Sequence, residues 1–221
     1  MARNNRGGLS DKARRHDPAY LRAKKEKYAG RAVYKLEEVD EKFRLFKRGA
    51  SVLDLGCWPG SWLQYIVRKV GEDAVIVGVD LKEVEVALPQ NVETFVGDVF
   101  KLKPEKFVQR FGAFNVVVSD MAPNTTGETE GDVYRSEELF LRALDIATDS
   151  LRPGGHFAAK VFQGERFGEL IKEVKKRFQQ GRGFHTKNTR QGSRERYIIG
   201  RGLRLNASKD LQPDPRPDGG E

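Results

Sequence analysis

Cysteine occurs once in the 221 residues, at Cys57. No internal disulfide can form, and the chain suits a reducing compartment. With only three histidines beside it, a His/Cys metal site lacks ligands, so no metal is expected. Long apolar runs are also missing. Hydrophobic residues make up 38% of the chain, and no stretch reaches the ~18 needed to span a membrane. Met1 to Arg15 is basic and polar, without the apolar stretch of a secretory signal. The expectation is a cytoplasmic protein without a membrane partner.

Negative charge is in the minority, with 32 acidic residues against 40 basic ones and a formal net charge of +8. The excess is uneven. One cluster lies in residues 1–35, including Arg3, Arg14, Arg15, Lys24, Arg31 and Lys35; a second runs from Lys172 through Lys175, Arg182, Lys187 and Arg196 to Arg201. Such clusters attract a phosphate backbone and release counterions on binding, although a solvated basic surface gives the same composition.

Length suits one domain with a sizeable core. Residues 1–16 read as a flexible basic arm and 203–221, rich in Pro, Asp and Gly, as a disordered tail. Between them, a helix is expected over 17–28, with Asp17 as its cap and Pro18 in its first turn. A second follows from Arg31, with Val33, Leu36, Val39, Phe43 and Phe46 at helical spacing. Strands are expected at 51–55, 74–79, 92–96, 114–119 and 156–162, with Pro153-Gly154-Gly155 as a turn. Helices are expected at 62–70, 136–151 and 165–179, and an antiparallel pair at 183–187 and 195–199 closes the sheet. Alternating strands and helices predict an α/β, doubly wound, mostly parallel sheet with helices on both faces. Ligands bind such sheets beyond the carboxyl ends of the strands.

The chemistry-bearing residues fall at those ends. Asp54-Leu-Gly56-Cys-Trp-Pro-Gly60-Ser-Trp62 joins the first strand to its helix, and Gly56 and Gly60 allow close backbone approach. It is neither a G-x-G-x-x-G fingerprint nor a P-loop, which argues against a dinucleotide or nucleoside triphosphate. Asp80, Asp98 and Asp120 each follow a strand. An acid can accept from ribose hydroxyls at Asp80 and meet an adenine amino group at Asp98, so the acidic cleft suits a nucleoside bearing a cationic sulfonium. Lys160 lies inside an apolar strand, where a lysine is costly unless paired or neutral. Burial and neighbouring cations lower a lysine pKa and make it a usable base; a structural ion pair with Asp120 is the plainer alternative.

Five segments carry a resemblance: Arg31-Ala-Val-Tyr-Lys35-Leu, Asp54 to Trp62, Ser119-Asp-Met-Ala-Pro-Asn124, Lys160-Val-Phe-Gln-Gly164 and Ser193-Arg-Glu-Arg-Tyr197. In order and spacing they resemble the FtsJ/RrmJ (RlmE) family of ribosomal RNA 2′-O-methyltransferases over residues 17–202. The resemblance implies a Rossmann-like S-adenosylmethionine-dependent fold with a seven-stranded sheet. It implies a catalytic tetrad at Lys35, Asp120, Lys160 and Glu195, and cofactor contacts at Gly60, Trp62, Asp80, Asp98 and Asp120, to which Gly56 is added from its turn. It also implies a uridine of large-subunit (23S) ribosomal RNA as substrate, met within the large ribosomal subunit and methylated by a monomer. Cys57-Trp58 and Ser61 stand where many members carry small residues or glycine. Lys160 is the expected base, Lys35 the group that holds the 2′-oxygen, and Glu195 their positioner. Arg31, Arg194 and Arg196 are candidate RNA contacts, and Tyr34 or Tyr197 either stacks on a base or packs in the core. A transfer RNA substrate, or a non-catalytic RNA-binding role, are the alternatives.

Overall fold

The computed structural model describes residues 17–189 and 192–205. The basic arm, Arg190 and the tail from 206 lie outside the described residues. In chain order the elements are α1 (Pro18–Lys25), α2 (Val33–Phe43), β1 (Val52–Leu55), α3 (Ser61–Val70), β2 (Ile76–Asp80), β3 (Val92–Val96), α4 (Pro104–Phe111), β4 (Phe114–Ser119), α5 (Thr129–Ser150), β5 (Leu151–Phe162), α6 (Phe167–Arg177), β6 (Phe178–Phe184) and β7 (Glu195–Leu203). The strands form one seven-stranded sheet in the order β3-β2-β1-β4-β5-β7-β6. β1 to β5 pair in parallel, and β7 runs antiparallel between β5 and β6. The expected doubly wound sheet is present, with its order reversing between β1 and β4.

Alternation along the strands divides the core in two. Val52, Val116, Val118, Ala158, Tyr197 and Ile199 face α2 and α3. Leu53, Leu55, Val117, Phe157, Ala159 and Ile198 face α5 and α6 on the other side. α2 is fixed by Leu36 and Val39, both fully buried, and by Phe43. Each such side chain contributes roughly 1.5–3 kcal/mol, which makes α2 a rigid carrier for Lys35. α1 begins as expected: the Asp17 carboxylate accepts from the N–H groups of Ala19 and Tyr20 ahead of Pro18.

Several boundaries differ from expectation, each for a local reason. α1 stops at Lys25 rather than 28, where Lys27 takes a positive φ of 60°. α2 ends at Phe43, because Arg44 adopts the left-handed conformation, and Phe46 lies beyond it. Pro153-Gly154-Gly155 is no separate turn: β5 runs through it from Leu151, with its pairing to β4 shifting register between Phe114 and Val116. Phe178 begins β6 rather than ending a helix, so the closing strand covers Phe178–Phe184 instead of 183–187. α5 starts seven residues earlier than expected, at Thr129. α4 was not anticipated, although Pro104 in its first turn and the spacing of Phe107 and Phe111 mark it.

Candidate active site

β1, β2, β3 and β4 end around a cleft of about 460 Å³, within the ~300–1,000 Å³ typical of small-molecule sites. Gly56, Asp80, Asp98 and Asp120 all line it. Gly56 has a φ of +83°, and a Cβ there would lie 2.7 Å from the Met121 Cγ, so only glycine keeps the cleft floor open. Asp80 is anchored by the main-chain N–H groups of Trp58 at 3.0 Å and Lys82 at 2.9 Å, and Asp98 by that of Phe100. Trp58, Leu81 and Phe100 are large apolar side chains left exposed, and all three line this cleft. Acids at its rim and uncovered apolar walls fit a flat, hydroxyl-bearing nucleoside with a cationic centre. The Lys82 ammonium lies 4.1 Å from the Trp58 ring centroid, so the residue that departs from the small-residue pattern forms a cation–π wall beside Asp80.

Two expected cofactor contacts are placed differently. Gly60 is buried at the start of α3, and a Cβ on it would meet Val86 at 2.5 Å. Trp62 is 3% exposed, and its indole N–H donates to the Ala32 carbonyl at 2.9 Å. Its ring serves the core. What it can offer a ligand is its main-chain N–H in the first turn of α3, where such groups have no intrahelical acceptor.

The four tetrad residues converge. Lys35, in the first turn of α2, pairs with Glu195 at the start of β7, 2.5 Å from Nζ to Oε1. Lys160, on β5, is 3.1 Å from the Asp120 Oδ1 and donates to the Asp120 carbonyl at 2.5 Å. Tyr197 joins these halves. Its hydroxyl is 2.7 Å from the Asp120 Oδ1 and 3.2 Å from the Glu195 Oε1, so one proton is shared between two carboxylates. Burial, then the two carboxylates, push the Tyr197 phenol well above its ordinary range and keep it a donor. Burial opposes ionisation of Asp120, but Lys160, Lys35 and the Tyr197 hydroxyl outweigh it and hold its carboxyl below the usual range.

From sequence, Tyr197 is equally a stacking or a core residue. It is fully buried and packs near Trp62, 6.2 Å between ring centroids, which removes stacking. Tyr34 is equally buried and its hydroxyl donates to Glu26. The signal for Tyr197 was its position: residues two apart on a strand share a face, and Glu195 and Tyr197 are such a pair.

The arginines are not gathered with the tetrad. The Arg31 guanidinium pairs with Asp17, tying the approach to α2 to the cap of α1. Arg196 lies opposite Val161, whose side chain belongs to the α5–α6 face, and its guanidinium donates to the carbonyls of Ser193 and Glu195. Arg194 is exposed and lines a separate depression with Tyr134, Glu137 and Arg166.

Asp54, which opens the glycine turn, has a second property. It is fully buried on β1, and neither carboxylate oxygen has a hydrogen-bond partner among the described residues. Burial first, then Asp120 and Asp80, push its carboxyl well above the ordinary range. Its contribution to stability is therefore fully present below the unfolded carboxylate value of about 3.9 and is lost as pH rises through the higher folded value. Asp54→Asn removes that loss. Thermal denaturation at pH values from 4 to 8 should show the variant gaining on the parent as pH rises, by a few degrees in Tm. Parallel pH dependences for the two proteins would contradict the buried, protonated carboxyl.

No helix among the described residues is long and apolar enough to cross a membrane. No group of three or more His, Cys, Asp or Glu side chains that could hold a metal ion occurs among them.

Comparison with known proteins gives the family of the chain. The model of the FtsJ-like methyltransferase family matches residues 28–203. A ribosomal RNA large subunit methyltransferase E from Syntrophobacter fumaroxidans is 44% identical over 189 residues, 85% of this chain and 96% of that protein. A protein of the same name from Bdellovibrio bacteriovorus is 42% identical, covering 83% of this chain and 95% of its own length. Among solved structures, a ribosomal RNA methyltransferase from Plasmodium falciparum superposes with a TM-score of 0.69 at 27% identity, over 80% of this chain and 98% of that one. Since the matched span contains the whole sheet, the cleft and all four tetrad residues, the chain belongs to the FtsJ-like methyltransferase family.

Proposed function

We propose that this methyltransferase moves the methyl group of S-adenosylmethionine to a ribose 2′-hydroxyl of large-subunit ribosomal RNA, a uridine of the 23S molecule, with Lys160 as general base. The bound cofactor supplies an activated methyl group on a sulfonium. Asp80 would accept from its ribose hydroxyls, Asp98 would meet the adenine amino group, and Asp120 would lie near the sulfonium. Gly56 would leave room at the cleft floor for its methionine portion.

The observation that carries the reading is the setting of the Lys160 amine. Once the Lys160 ammonium has given up a proton, the amine that remains has two N–H bonds and one lone pair. The Asp120 carbonyl and carboxylate supply two acceptors, at 2.5 and 3.1 Å. They hold both N–H bonds and leave the lone pair in the remaining tetrahedral direction, ready to take the 2′-hydroxyl proton. The ammonium formed by that transfer stays beside the Asp120 carboxylate. Lys35, positioned by Glu195, would donate to the 2′-oxygen and stabilise its developing charge. The relatives' names supply the RNA class, and the basic surface supplies its electrostatic counterpart. A monomer in the cytoplasm is the corresponding setting.

The test is transfer of tritiated methyl groups to RNA, with nuclease mapping of the labelled ribose. Label is expected at a 2′-oxygen of large-subunit RNA. Label in transfer RNA alone changes the substrate, and cofactor binding without transfer favours a non-catalytic RNA-binding role.

A further inference from the structure

β7 carries Glu195 and Tyr197 at the tetrad and, six residues on, Arg201 at the opposite end of the sheet. There a second cavity, about 210 Å³, is lined by Lys42, Phe43, Gln180, Arg182, Ile199 and Arg201. It has three cations, one amide, an apolar floor and no carboxylate. Arg182 faces Ile199 across the β6–β7 ladder and Gln180 faces Arg201, so the two guanidinium groups sit diagonally on one face. The Lys42 ammonium leans over the Phe184 ring at 4.7 Å.

Two independent observations mark this cavity as more than solvated charge. First, the Arg201 Nε is buried and has no acceptor among the described residues, which is costly for a guanidinium that no ligand meets. Second, Lys42, Lys47, Arg48, Arg182, Arg201 and Arg204 have no carboxylate within 4 Å among the described residues, although many cations elsewhere are paired. Lys47 and Arg48 line the adjoining depression beside His156, and Arg204 lines the one beyond Arg182. The uncompensated field reaches inward as well. Burial, then Arg201, with Lys47 adding to it, holds the His156 imidazole below its usual range.

We infer that this cavity is a second RNA contact, where Lys42, Arg182 and Arg201 hold a backbone phosphate remote from the target ribose. The inference rests on the reading that the substrate is RNA. Six strand residues place the site about 20 Å from the tetrad. A guanidinium fork matches a phosphate in two hydrogen bonds, and the ammonium adds a point charge. A folded RNA wrapping one edge of the sheet reaches both ends, so the contact selects structured RNA by shape and charge, leaving base identity to other groups.

The experiment compares the full chain with Lys42→Ala/Arg182→Ala/Arg201→Ala, and with Lys42→Ala/Arg182→Ala in case Arg201 supports folding. Binding of purified 23S RNA is measured across potassium chloride concentrations, alongside KM and kcat for methyl transfer. The triple variant is expected to lose about tenfold in RNA affinity, with a salt slope shallower by about 2–3. KM for RNA should rise with it, while kcat at saturating RNA and cofactor affinity stay within about twofold. The double variant should show a smaller change in the same direction. Unchanged affinity and slope in both variants overturn this inference alone. A parent chain that binds 23S RNA but transfers no methyl group overturns the functional reading and leaves this one standing; a parent chain that does not bind the RNA overturns both.

Discussion

Lys160→Ala should abolish methyl transfer, lowering kcat by about 10²–10⁴-fold, while S-adenosylmethionine affinity changes less than about threefold. The separation follows from geometry. Lys160 is 7% exposed and its amine is committed to Asp120, whereas Asp80, Asp98 and Gly56 line the cofactor cleft and it does not. Calorimetry for binding and tritium transfer for turnover read the two properties separately. A variant that keeps near-normal turnover removes Lys160 from the chemistry. A variant that loses binding and turnover equally makes it a structural partner of Asp120. Lys160→Arg is a sharper probe: it keeps the charge but supplies no lone pair at the operating pH, so it should be as inactive as the alanine variant.

Asp120→Ala should be the most damaging single change, because two side chains converge on that carboxylate and it also lines the cleft. Lys160 and Tyr197 lose their common acceptor, and the cofactor cleft loses an acid from its wall. Removing one partner from a buried pair leaves the other uncompensated, at a cost of about 3–5 kcal/mol, and turnover should also fall by at least about 10²-fold. Urea denaturation of the single variant and of Asp120→Leu/Lys160→Met distinguishes causes. If the loss comes from the stranded ammonium, the double variant recovers most of the stability and none of the activity. Equal instability in both would place the cost in packing around β4 instead.

The site was legible where a buried apolar strand runs into a single acid. Asp80 and Asp120 follow such runs, Asp98 follows the half-exposed edge strand β3, and the parallel sheet turns the pattern into one cleft. Lys160 was legible for the converse reason, a charge inside an apolar strand. The ring of Trp62 was not, since nothing local shows that Ala32 takes its N–H. Asp54 and Tyr197 were missed because their significance is tertiary: one lacks partners, and the other bridges residues 75 or more positions apart in sequence from Asp120. Among the elements, the start of α5 is hidden because Thr129 to Asp132 carries no apolar side chain; Asp132 there accepts from the Thr126 and Gly127 N–H groups. β6 was misplaced because Phe178-Gln-Gln-Gly-Arg-Gly-Phe lacks clean alternation. Its neighbour Gly200 is small because the Phe178 ring lies 2.7 Å from where a Cβ would be.

The place of β7 in the sheet bears on how the enzyme comes into being. It is the last strand in the chain among the described residues, yet it enters between two earlier neighbours, bringing Glu195 and Tyr197 with it. A nascent chain that ends before this insertion carries both lysines without the glutamate or the phenol that fixes them. Competence should therefore arrive in one step, late, and a molecule with that edge unzipped should be silent rather than slow.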